Sequence, residues 1–119
     1  LDDLLPYLSQ VVRQDLIIVD GIICMEGNGP TIGTPKSLGL VVVGTNPVEV
    51  DSVCTRIMGF DPLEVEHIVN ASARGVGEMD IAKINLLGER LEEVSTVFER
   101  PYSLRASLKS IRSIRKIYI

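Results

Sequence analysis

Leu4, Leu5, Leu8, Val11 and Val12 recur at the spacing of one helical face and predict a short helix over about residues 2–13. The pattern then changes. LIIVD (16–20) and LGLVVVG (38–44) are continuous apolar runs rich in β-branched side chains, the form taken by strands buried on both faces. Two later segments share one design. Asn46-Pro47 with Glu49, and Asp61-Pro62 with Glu64, each place a capping side chain, a proline at the first helical position and an acid three residues on. Gly59 and Gly75 stand where a helix end favours left-handed backbone. Helices over 46–58 and 61–74 follow. Ile81–Gly88 reads as a third strand near an edge, because it carries Lys83 and Asn85. Leu91–Phe98 fits strand or loop, and Ser103 can cap a last helix with Leu104, Leu108, Ile111 and Ile114 at near-helical spacing.

Strands that alternate with helices and lack polar alternation predict an α/β fold, a three-layer sandwich with a mostly parallel sheet. Three strands are few for a sheet covered on both faces. The sheet is therefore expected to be part of a larger one, completed by another part of the same protein or by another copy of the chain. Residues 1–102 form the α/β domain in this reading, and 103–119 a basic helical tail.

Between the first two strands, VDGIICMEGNGPTIGTP (19–35) breaks the pattern. Connections are usually about 4–6 residues long, and this one reads as a glycine-rich loop over 20–35 that binds a ligand or packs as a lid. Asp20 ends a predicted buried strand, where ligands gather in open α/β sheets; it can equally hydrogen-bond the loop beneath it. Gly27, Gly29 and Gly33 let main-chain N–H groups turn inward toward an anion, although neither phosphate-binding glycine motif is present. Glu26 and Asn28 suit a hard ion or a polar ligand. Asp51 borders the stripe Val50, Val53, Cys54 and Ile57, near a helix N-terminus. It can face a ligand or bond a neighbouring loop. The candidate ligand-binding set is Asp20, Gly21, Glu26, Gly27, Asn28, Gly29, Thr31, Gly33, Thr34 and Asp51, with Asp20 and Glu26 as metal ligands. No catalytic residue is assigned. His67 is the single histidine and sits in no nucleophile signature.

Composition narrows the choices. The 119 residues are 45% hydrophobic without tryptophan, so the core must be aliphatic. No apolar stretch approaches the roughly 18 residues of a membrane span, and no secretory pattern opens the chain. A start at Leu1 is expected of a piece of something longer. Cys24 and Cys54 form no C-x-x-C pair, which argues against zinc or iron–sulfur ligation within the chain and for reduced thiols in a cytoplasmic protein. From Arg100 onward there are six basic residues and no acid, whereas the first 99 residues carry 6 basic and 16 acidic groups. So acidic a body is a poor nucleic-acid binder. The basic tail reads as a solvated face or as a contact with further chain.

VDGIICMEGNGPTIGTP, followed by LGLVVVGTNPVEVD and MGFDP, resembles the bacterial and archaeal family known as domain of unknown function 362. The resemblance runs from about Leu4 to Gly88. The family usually has glycine where Cys24 stands and aspartate where Asn46 stands. It implies that the chain is the C-terminal part of a longer protein whose N-terminal part supplies further strands. Many members carry cysteine clusters for 4Fe–4S centres, and those cysteines are absent here. A distant similarity to nickel-dependent lactate racemases is an analogy of fold and licenses no activity. The expectation is a polar-ligand- or metal-binding half of an enzyme linked to iron–sulfur redox metabolism. The alternative is a non-catalytic interaction or structural module whose loop is a lid. Convergence of Asp20, Glu26 and Asp51 on one cleft would favour the first, and dispersal the second.

Overall fold

The computed structural model describes residues 2–102, so the helix expected from Ser103 and the whole basic tail lie outside the described residues. The order is α1 (Leu4–Val11), β1 (Ile17–Asn28), β2 (Ile32–Gly44), α2 (Pro47–Ile57), a 3-10 turn (Pro62–Glu64), α3 (Glu66–Ala73), a second 3-10 turn (Ile81–Lys83) and a one-turn α4 (Leu91–Val94).

The expected parallel sandwich is not the fold. β1 and β2 pair antiparallel as a two-stranded sheet, from Ile17 opposite Gly44 to Asn28 opposite Ile32. The glycine-rich segment is therefore no long loop. Both strands continue through it, and only Gly29, Pro30 and Thr31 turn at the tip. The two apolar runs are the base of one hairpin, joined by their own continuation instead of a crossover. Every strand of a two-stranded sheet is an edge, which is why Pro35 is tolerated opposite Met25. The third strand expected over 81–88 is also absent; Asp80 caps a 3-10 turn there by accepting from Ala82 N.

One irregularity shapes the hairpin. Gly21 pairs with Leu40 and Ile23 with Ser37, so Ile22 faces two residues, Leu38 and Gly39. This is a β-bulge, and Gly39 supplies the left-handed backbone (φ +67°) that it needs. At the same point the inward-outward alternation of β1 slips. Ile17, Val19 and Gly21 are covered before it, Ile22 and Ile23 are both exposed, and Cys24 and Glu26 are covered after it.

The hairpin base lies against α2. Gly44 admits the Val50 side chain, which a Cβ at residue 44 would overlap. The Asn46 cap forms as the sequence implies, with Oδ1 accepting from Val48 N (2.9 Å) and Glu49 N (3.2 Å). Asp61 caps as well, accepting from Leu63 N, but starts only the 3-10 turn, so α3 begins later than expected. Gly59 and Gly75 adopt positive φ at the ends of α2 and α3. Val48, Ile68 and Ala71 form a buried cluster, with Val65, Val76 and Met79 packed against it. α1 rests on α3, where Asn70 Nδ2 reaches Asp2 O and Asp3 Oδ1.

Candidate functional site

The candidate residues divide among three places. Asp20 lies in mid-strand opposite Val41, exposed, with Oδ1 accepting from Ile22 N (2.9 Å) beside the bulge. Gly21 is buried next to it because the strands approach so closely that a Cβ would stand 2.8 Å from Leu40 O. Thr31 and Thr34 are exposed at and near the tip, and side chains at Gly29 or Gly33 would crowd Met25.

Glu26, Gly27 and Asn28 form the second group, and they are engaged. Glu26 Oε2 accepts from Lys36 Nζ (2.9 Å) and from Glu99 N (2.9 Å). Gly27, at φ +76°, donates its N–H to Glu99 O (3.0 Å). Asn28 Oδ1 accepts from Tyr102 N (2.8 Å). Lys36 also donates to Val97 O (2.7 Å) and stands 5.1 Å from the centre of the Phe98 ring. A strap of residues 96–102 thus crosses the distal hairpin. Its other edge serves α2, where Thr96 N and Phe98 N donate to Ile57 O and Met58 O, carbonyls that a helix end leaves without partners.

Those donors also set the charge of Glu26. The Glu99 amide first, and then the Lys36 ammonium, hold its carboxyl below the ordinary value of 4.5. A depressed folded-state value means that the carboxylate's contribution is complete above the ordinary range and is lost as pH falls through the lower value. Acidification is accordingly expected to loosen the strap before the core. Exchange of the Glu99 amide, corrected for its intrinsic rate and referred to Val53, should keep its protection above the ordinary value of 4.5 and lose it as pH falls below that value. The same measurement on Glu26→Gln should show no such step. A step that persists in the amide variant would assign the effect to another group.

Asp51 makes the third place. Its Oδ2 lies 4.0 Å from His67 Nε2, and His67 Nδ1 lies 3.6 Å from Asp2 Oδ1 on the other side. Partial burial pushes the Asp51 carboxyl above its usual range, while the imidazole pulls it down. The pair borders a cavity of about 270 Å³ between α1, α2 and α3, with Leu5, Pro6, Val48 and Ile68 on its apolar side. One turn further on, burial first, and the Asp51 and Cys24 charges after it, push the Cys54 thiol up to about 11. At neutral pH it is a protonated thiol and a poor nucleophile.

The three acids do not share a cleft. Asp20 and Glu26 are six positions apart on one strand, about 20 Å at the usual rise, and Asp51 faces His67. Among the described residues no group of three or more His, Cys, Asp or Glu side chains is placed to hold a metal ion. Sequence reasoning passed over Lys36, Phe98 and Glu99. The Asn28-Gly29 dipeptide signals a hairpin, but a two-residue turn there would put Glu26 opposite Thr31. The observed register, with Glu26 opposite Thr34 and Cys24 opposite Lys36, is what sets Lys36 diagonally across from Glu26.

Comparison with known proteins gives the same picture of the chain's kinship. A thylakoid-associated protein of Synechocystis is 35% identical over 63 residues, which are 53% of this chain and 20% of that protein. The chain spans about a fifth of the length of the relative it matches. No solved structure matches the chain significantly. Among the described residues, no helix is long and apolar enough to cross a membrane. The sequence model of domain of unknown function 362 matches residues 1–56, a shorter span than the Leu4–Gly88 resemblance read from the motifs. Over those residues, which hold α1, the whole hairpin and most of α2, the chain carries the signature of the domain of unknown function 362 family.

Proposed function

We propose that this chain is a non-catalytic structural and interaction module, whose hairpin packs an open apolar face against the rest of a longer protein. The observation that carries the reading is the outer face of the hairpin. Ile18 (64% exposed), Ile22, Ile23 (69%), Met25, Val41 and Val43 (60%) stand open on it. Exposed apolar surface of this kind, broken by Asp20 opposite Val41, marks an interaction site. The dispersal of Asp20, Glu26 and Asp51 supports a module over half of a metal or polar-ligand site. So does the relative, which is named for an association and not for a reaction, and of which the matched segment is one fifth.

The test places a charge on the outer face at the cross-strand pair Ile18 and Val43. In the isolated chain, Ile18→Lys with Val43→Lys should cost about 1 kcal/mol, the lost cross-strand pair and the repulsion of two opposed ammonium groups. In the longer protein the same pair should cost several kcal/mol, roughly the penalty of burying unpaired charges, and be seen as a lowered Tm or insolubility. Equal, small effects in both would mean that nothing covers this face.

A further inference from the structure

The strap is bound in a way unlike the rest of the chain. Its backbone is read on both edges: Thr96 N and Phe98 N go to α2, while Val97 O, both backbone groups of Glu99, and Tyr102 N go to the hairpin. Of residues 97–102 only Phe98 is buried, at 4% exposure, and Val97 and Tyr102 are more than three-quarters exposed. Two side chains have places made for them. Phe98 sits under the Lys36 ammonium. The Arg100 guanidinium lies 4.9 Å from the centre of the Phe60 ring and 2.6 Å from Glu64 Oε2. Gly59 completes the groove, since a Cβ there would stand 2.7 Å from Thr96 O.

Main-chain hydrogen bonds for affinity, with separate pockets for alternate side chains, are the means by which proteins recognise extended peptides. Core strands differ, since they bury a whole face. We propose that the groove between the distal hairpin and the C-terminal end of α2 is a binding site for an extended peptide bearing an aromatic residue and, two positions on, an arginine. The chain's own residues 97–100 occupy it in cis. The backbone contacts accept any extended segment; Lys36 selects the aromatic ring, and Glu64 with Phe60 selects the guanidinium. A strap tethered in the same chain acts at a high effective concentration, so an external peptide enters only when the strap is weakened or displaced. This site is separate from the open outer face of the hairpin, and it stands whether or not that face is covered.

The probe is a fluorescently labelled peptide of residues 95–102, and the receptor is the full chain. Phe98→Ala, which empties the aromatic place, should bind the peptide saturably, and the unsubstituted chain should bind it at least roughly tenfold more weakly. A peptide with alanine at the Arg100 position should lose roughly two- to fivefold in affinity for the variant, the range for an exposed ion pair. A folded Phe98→Ala chain that ignores the peptide, or that binds a scrambled one equally well, overturns the proposal. If Phe98→Ala does not fold, amide exchange in the unsubstituted chain decides. Glu99 and Tyr102 must exchange through local opening, far faster than Val53. Protection equal to that of Val53 would make the strap part of the cooperative core and end the proposal.

Discussion

Ile68→Ala is expected to destabilise the chain by about 3 kcal/mol, the usual cost of truncating a fully buried aliphatic side chain where the surroundings relax only in part. Ile68 is 2% exposed and shares its cluster with Val48 and Ala71. Val65, Val76 and Met79 pack against the cluster on one side, and the cavity of about 270 Å³ borders Ile68 on the other, so truncation would enlarge an existing void. Domains of this size are stable by only about 5–15 kcal/mol, and the loss should be plain in a urea titration as a lower midpoint with an unchanged slope. Leu87→Ala is the control. That side chain is 88% exposed, and its removal should stay within about 0.5 kcal/mol. A loss below about 1 kcal/mol at Ile68 would place the core elsewhere.

Gly77→Ala should cost about 2–3 kcal/mol, through Asn46, about thirty positions earlier in the chain. A Cβ at residue 77 would overlap the Asn46 side-chain amide. That amide both caps α2 and donates from Nδ2 to Val76 O (2.9 Å). The added methyl group therefore has to expel the cap or shift the backbone. Asn46→Ala alone should cost about 1 kcal/mol, as other lost caps do. The informative measurement is the double variant. Alanine at 46 leaves room for alanine at 77, so the pair should be distinctly less destabilised than the two single losses added together. Strict additivity would show that the two residues do not meet.

Local chemistry was legible in the sequence, and long-range pairing was not. The caps at Asn46 and Asp61, and the positive-φ glycines 59 and 75, depend on residues within a few positions of each other and were read from them. The strand pairing was misread for a physical reason. Leu16–Asp20 and Leu38–Gly44 are apolar on both faces, which is the pattern of a doubly covered parallel strand. Yet Ile18, Val41 and Val43 are at least half exposed among the described residues. An apolar face says that something covers it, not which direction the neighbouring strand runs. Glycine and proline counts then made 20–35 look like a loop, although a two-stranded ribbon tolerates both. The candidate site followed the same division. Glu26, Gly27 and Asn28 read as ligand-binding from the sequence, and in the structure they bond to the chain's own strap. Their partners lie some seventy positions away, at Glu99 and Tyr102, where no periodicity links them.

The bulge at Gly39 gives the hairpin a reading frame. Because a strand's side chains alternate strictly, one extra residue decides which half of the alphabet beyond it faces inward. With Ile22 opposite both Leu38 and Gly39, the phase that carries Cys24 and Glu26 is turned toward the covered side and the phase that carries Ile23 and Met25 toward the open side. Loss of the one residue would act like a frameshift in three dimensions. Every contact between Asp20 and the base would survive, while the distal half would show thioether and sec-butyl surfaces to the strap and hand its carboxylate to water. Single-residue insertions and deletions near position 39 therefore fall into a different class from substitutions there: they leave the composition almost untouched and rewrite the meaning of every position out to the tip.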